Sequence, residues 1–306
     1  MSVKEVTTRA IIGTFFEQLR LSQERSWINR VLMTFKSDQD QEIIKWLGSS
    51  PAMKKWVGNR NPASLKDNGI TILNELFEAS IEYWAKDRRR DRFGQLAKRV
   101  QELAIRAQNH WDKLVGDLIV AGEATNCYDG QNFFDTDHSE GSSGTQDNDL
   151  GASMAGSAPT AAEMVTAISG AINAILGYKD DQGEPMNDDA RAFVVRVPST
   201  YYMTAVAALR SEIIVDTASK SNPIKQSGLS IDLWPSARAE SSKIQVFRTD
   251  GVVKPFVAID EYGIKVKAKG EGSEYEFDTA KNVFGVDANR GVGYGYWQHA
   301  CLVTFS

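Results

Sequence analysis

Cysteine and histidine are scarce in this 306-residue chain, which holds two cysteines, Cys127 and Cys301, and three histidines. Two thiols are too few for a disulfide framework or a zinc knuckle, so the plain reading is a pair of buried thiols in a reducing compartment. No apolar run approaches the roughly 18 residues that a membrane-crossing helix needs. The opening residues MSVKEVTTRA lack the apolar stretch of a secretory leader, which gives the expectation of a chain that stays in the cytoplasm where it is made. Strict βαβ alternation is missing, as is any internal repeat. No Ser/His/Asp or Cys/His grouping sits in the local context that nucleophilic catalysis requires.

Hydrophobic residues make up 42% and charged residues 25% of the sequence, which is ordinary for a globular protein large enough for one big domain or two modest ones. The net charge of -5 is unevenly spread. Residues 1–125 hold 20 Lys+Arg against 16 Asp+Glu, a balance of +4, and residues 126–306 hold 15 against 24, a balance of -9. Unlike charges at the two ends of one chain suit head-to-tail contacts between identical copies, although uneven solvated surfaces would look the same.

Hydrophobic spacing predicts a broken helix over 8–35, carried by Ile11, Ile12, Phe15, Phe16 and Leu19. A polar turn at 37–41 leads to a first strand over 43–47. Residues 48–69 are rich in Gly, Pro and Asn and favour irregular backbone. Strict alternation over 77–83 then marks the clearest strand. Two strands flanking a long irregular excursion predict an extended two-stranded arm, which has too little core to stand alone in water. A helix of unusual length follows over 87–121, with Asp87 as its cap and Gly122 as its stop.

The polar stretch 139–159 reads as a mobile surface loop. Thr160 and Glu163 form a capping box that opens a helix to Gly177. Beyond it come a buried strand over 192–197, a helix that Ser199 can cap through 208, and strands over 230–234, 243–248 and 256–259. Asp250-Gly251 reads as a hairpin turn, and YGYWQHACLVTF as strand. The mixture predicts an α+β fold.

Three stretches could carry chemistry. Asp135-Thr136-Asp137-His138 offers oxygen and nitrogen ligands, but a metal needs more converging groups; the alternative is a polar turn in which Asp135 and Asp137 accept backbone N–H bonds. Gly291-Val292-Gly293-Tyr294-Gly295 superficially looks like a phosphate loop, yet strand-forming residues follow it instead of a helix. Its glycines fit close approach to a neighbouring aromatic, or positive φ. The run Lys86-Asp87-Arg88-Arg89-Arg90-Asp91-Arg92 fits pairing with carboxylates of an adjacent subunit, with a solvated surface and nucleic-acid binding as the other readings. Seven tryptophans divide the same way. Trp46 and Trp56 fall in the irregular arm and suit burial against a partner, whereas Trp27, Trp84, Trp111, Trp234 and Trp297 fit ordinary core.

Three motifs in register, WLGSSPAMKKWVGNR (Trp46 to Arg60), CYDGQNFFDTDH (Cys127 to His138) and GVDANRGVGYGYWQHA (Gly285 to Ala300), give the chain its resemblance to the major head subunits of Mu-type tailed phages. That resemblance implies the Hong Kong 97-type shell fold: an N-terminal arm at 1–36, an extended β-hairpin loop at 37–85, a peripheral domain with a spine helix at 86–155 and 251–306, and a mixed axial domain at 156–250. It further implies a capsid protein of the virion, assembled in the host cytoplasm without catalysis, cofactor, metal or membrane. Its partners would be copies of itself in hexamers and pentamers, packaged double-stranded DNA bound without sequence specificity, and portal, scaffold and decoration proteins. Trp46, Trp56, Arg60, Arg88, Arg89, Arg90 and Arg92 are the expected subunit-interface residues. An encapsulin-like compartment is the alternative within the fold, and a metal-dependent hydrolase using Asp135, Asp137 and His138 is the alternative outside it.

Overall fold

A computed structural model of the chain describes residues 8–45, 69–90, 94–215 and 219–306. The first half runs α1 (Thr8–Arg25), β1 (Leu32–Phe35), β2 (Gln41–Lys45), β3 (Gly69–Leu73), β4 (Glu75–Trp84), α2 (Ala85–Arg90), α3 (Gln95–Val120) and β5 (Asp149–Ala152). The second half runs α4 (Ala161–Gly177), β6 (Ala192–Pro198), α5 (Tyr202–Arg210), β7 (Ile213–Val215), β8 (Ser219–Ser221), α6 (Pro223–Gln226), β9 (Ser230–Ser236), β10 (Lys243–Arg248), β11 (Phe256–Asp260), β12 (Lys265–Lys269), α7 (Glu274–Thr279), β13 (Lys281–Tyr294) and β14 (Ala300–Phe305). Helices and mixed sheets share one chain without βαβ alternation, as the α+β expectation required.

Two five-stranded sheets organise the molecule. In the first, the 14-residue strand β13 pairs with β4 along one edge, and with β12 and then β11 along the other, while β1 joins β11 in parallel. In the second, the order is β5-β14-β10-β6-β9. The C-terminal strands are therefore divided: β13 centres the first sheet and β14 sits inside the second, with Trp297, fully buried, between them.

The spine comes from α3, whose Leu96, Val100, Leu103, Ala104, Trp111, Val115 and Ile119 form one buried stripe at the spacing of a helix face. Its 26 residues extend about 39 Å at about 1.5 Å per residue. Ile11, Phe15 and Leu19 of α1 close over the same stripe together with Phe284 and Val286 of β13. A cation–π contact and two hydrogen bonds tie α3 to β13: Arg290 lies over the Trp111 ring at 4.5 Å and donates to the Ala107 carbonyl at 3.0 Å, and the Tyr294 hydroxyl donates to the Leu118 carbonyl at 2.8 Å.

Several expectations are corrected. The broken helix ends at Arg25, and Leu32–Phe35 instead runs as strand, because the edge of β11 offers those residues a ladder that outweighs helix propensity. The single helix over 87–121 is interrupted, since Gly94 adopts a left-handed φ of 65° that only glycine takes without strain. Asp87 therefore lies within α2 and does not cap the spine. Gly122 does sit at the stop, in a turn of 3-10 helix where a Cβ would meet the Phe134 ring at 2.7 Å. The alternating strand, β4, is not the arm's second strand: it pairs with β13 from Glu75↔Arg290 to Trp84↔Lys281.

The polar stretch 139–159 is tied down and not a free loop. The Gln146 N–H donates to the His138 carbonyl, Ser142 to Asp181 and Met154 to Ser306, and β5 joins β14. Polar side chains there satisfy the backbone where apolar burial is lacking. Asp250-Gly251 does not connect paired strands, because β10 and β11 belong to different sheets; the Asp250 carboxylate accepts from the N–H groups of Arg191 and Ala192. The capping box at Thr160 and Glu163 is present in both directions.

Candidate assembly surfaces

The arm emerges from the first sheet as a two-stranded ladder, β2 against β3, in register from Gln41↔Leu73 to Lys45↔Gly69. Its inner face, Ile44, Ile70 and Ile72, lies on Val257 and Ile259 of β11. Its outer face carries Ile43 and Leu73, about 60% exposed. The glycine run of β13 makes the close seating possible. A Cβ on Gly293 would stand 2.7 Å from Ile72, and one on Gly291 would strike the Leu73 carbonyl. Close approach was the expected role of these glycines, but the neighbour is an aliphatic strand and not an aromatic ring, and none of the three has positive φ.

Trp46, Trp56, Arg60 and Arg92 lie outside the described residues, as does the Arg89 side chain. Arg88 corrects the expectation of pairing across subunits: it is buried in its own chain, where its guanidinium donates to Glu271 at 3.1 Å. Arg90, two positions on, is exposed. Of the tryptophans assigned to core, Trp111, Trp234 and Trp297 are buried, Trp27 stacks on Trp234, and Trp84 is the exception at 45% exposure. Trp84 ends β4 between the ammonium groups of Lys86 and Lys281.

Beside the arm, α3 and β4 enclose a groove of about 410 Å³. Phe77, Ala79 and Leu103 give it an apolar floor, and Arg99, Glu102 and Arg106 line it with charge. His110 in its wall is held down to about 4 by burial and by Arg290, so it stays neutral at physiological pH. Away from the arm in sequence, Ile213 and Val215 of β7 and Met203 of α5 are 59%, 72% and 73% exposed.

Residues 135–138 take the polar-turn form that was the alternative to a metal site. Asp135 accepts the N–H groups of Asn132 and Thr136, as a polar turn requires, and Asp137 is exposed and accepts the Gln131 side-chain amide. His138 turns the other way, into the interior, against Asp129 and Asn148. Both cysteines are buried. Burial, reinforced by Asp129, pushes the Cys127 thiol well up, and burial raises Cys301 to about 12, so neither is a ready nucleophile. Among the described residues no helix is long and apolar enough to cross a membrane.

Residues 8–165, just over half of the chain, match the family described as Mu-like prophage major head subunit gpT. The chain is 32% identical over 121 residues to the Mu-like prophage FluMu major head subunit of Haemophilus influenzae, covering 40% of this chain and 39% of that protein. It is 34% identical over 140 residues to the major capsid protein of Escherichia phage Mu, covering 45% and 46%. The alignments thus span less than half the length of these curated relatives. In three dimensions it resembles the procapsid subunit of bacteriophage JBD30 with a TM-score of 0.56 at 21% identity, over 97% of this chain and 74% of that one. At that identity the likeness is one of fold, and the fold is the Hong Kong 97-type expected from the sequence.

Proposed function

The chain belongs to the Mu-like prophage major head subunit gpT family, and on that premise we propose that it is the major capsid protein of a phage head. In this reading it assembles through hexamers and pentamers into a closed icosahedral shell around double-stranded DNA, with a structural and not an enzymatic role. The observation that carries the reading is the arm, whose two-stranded ladder is seated on its own sheet by one face only and presents Ile43 and Leu73 outward. A lone ladder of two strands gains too little burial to hold itself; a neighbouring subunit supplies the missing layer.

The parts take roles accordingly. The first sheet with α1 and α3 forms the peripheral domain. The second sheet with α4 and α5 forms the axial domain, so β5 (Asp149–Ala152) and β14 (Ala300–Phe305) leave the peripheral bounds of 86–155 and 251–306 that the resemblance implied, and the exposed Ile213 and Val215 of the separate β7–β8 ladder face the symmetry axis. Contacts between unlike patches on identical copies close into rings. Many moderate interfaces, each reversible, let misplaced subunits leave before closure. DNA would be held through charge, without base recognition, and portal, scaffold and decoration proteins complete the set of partners. The phage relatives in sequence favour a head over an encapsulin-like compartment, since the fold alone is common to both.

Replacing residues 46–68 by a short Gly-Ser turn tests this reading, because Lys45 and Gly69 are register partners that a turn can rejoin. The expected product folds, with a cooperative thermal transition, and remains in small species by light scattering. Shell-sized particles from the shortened chain would overturn the assigned role of the arm.

A further inference from the structure

One buried cluster of the CYDGQNFFDTDH motif is not used by the assembly reading. Cys127 Sγ, Asp129 and His138 Nδ1 bring their ligand atoms within 4.8 Å of one another. The thiol donates to Asp129 Oδ1 at 3.0 Å, and Nδ1 of His138 lies 2.7 Å from Asp129 Oδ2. The His138 side chain is fully buried and that of Asp129 is 3% exposed. A single tight turn holds Cys127 and Asp129 together: the Cys127 N–H donates to the Gln131 carbonyl at 2.7 Å, and Asp129 Oδ1 accepts the Gln131 N–H at 3.1 Å.

The far side of the imidazole is arranged as a metal-bound histidine requires. Nε2 faces Asn148 Oδ1 at 3.2 Å. The orientation of that amide is fixed, because Oδ1 also accepts the Asp135 N–H while Nδ2 donates to the carbonyls of Phe133 and Ala300. Nε2 therefore carries a proton, and Nδ1 is the atom turned toward the thiol and the carboxylate. A carbonyl partner on the second ring nitrogen is what sets tautomer and ring direction in metal sites. Trp297 stacks on the ring at 3.9 Å and closes the cluster from that face.

We propose that Cys127, Asp129 and His138 bind a divalent cation of the borderline class to which Zn2+ belongs. One sulfur, one oxygen and one nitrogen are the donor set such ions prefer. On binding, the Cys127 thiol would release its proton to solvent, because the thiolate is the ligand form of cysteine. The Asn132 carbonyl, 3.9 Å from Sγ, or a water fills the fourth position. The ion would staple the Cys127 turn to His138, whose ring abuts Asn148 just ahead of β5, a structural and not a catalytic use.

The chain's only other cysteine, Cys301, makes the test internal. Full-length protein produced in zinc-supplemented medium and dialysed extensively is expected to retain stoichiometric zinc by elemental analysis, as is Cys301→Ser. Cys127→Ser and Asp129→Asn should lose it. Refolding with Co2+ should give a near-ultraviolet sulfur-to-cobalt charge-transfer band in the wild type and Cys301→Ser, and none in Cys127→Ser. Should Cys127→Ser not fold, Asp129→Asn decides by the loss of zinc in a folded chain. A wild-type protein without zinc or the cobalt band, or zinc retained by a folded Cys127→Ser or Asp129→Asn, overturns the site.

Discussion

Ile72, on the return strand of the arm, rests on Gly293 of β13, where a Cβ would approach its Cδ1 to 2.7 Å. The base of the arm is thus fitted to a strand that lies more than 200 residues away in sequence, through the absence of a side chain. Gly293→Ala should destabilise the fold by about 1–3 kcal/mol, the usual cost of overpacking. In an Ile72→Ala background the same change should cost little. Chemical denaturation of the two single variants and the double variant reads the coupling; additive costs would show that the two residues do not share the contact.

Arg88 and Arg90 are neighbours with opposite consequences. Arg88 is buried on Glu271 within the chain, so Arg88→Ala should lower stability by about 1–2 kcal/mol through lost packing and a lost charged hydrogen bond. Arg90 is exposed, and Arg90→Glu should leave the unfolding free energy within about 0.5 kcal/mol while impairing assembly. Normal assembly of the reversed variant would remove α2 from the subunit interface.

Acid should weaken the fold in a definite window. His299 is held down to about 4 by burial first and by Arg248 beside it, against about 6.5 when unfolded. Its contribution is complete above pH about 6.5 and is lost as the pH falls toward about 4, because only the unfolded chain then takes up the proton. The loss amounts to about 3 kcal/mol. His299→Gln should flatten the stability profile between those limits, relative to wild type. A profile unchanged by the substitution would show that His299 is not held neutral.

Periodic elements were legible in the sequence, and elements fixed by distant partners were not. The buried stripe of α3, the capping box of α4 and the β4, β6, β9, β10 and β11 strands all declare themselves through local spacing. The strand Leu32–Phe35 does not, because its partner is β11. The long strand β13 was hidden by Gly, Asp and Asn residues that look like turns but serve as close-approach and hydrogen-bonding positions. At the candidate surfaces the basic run was visible as a group, but helical phase, which turns Arg88 inward, is a matter of packing. His138 was visible as a candidate ligand; Cys127 and Asp129 became its neighbours only once the turn at Gly130 brought them round.

The central claim is that the arm finds its missing layer on another copy of the chain. Negative-stain imaging of the purified full-length protein, with light scattering across concentration and salt, tests it most directly. Closed particles or hexamer-sized capsomers are the predicted result. A protein that stays monomeric under every condition would contradict it.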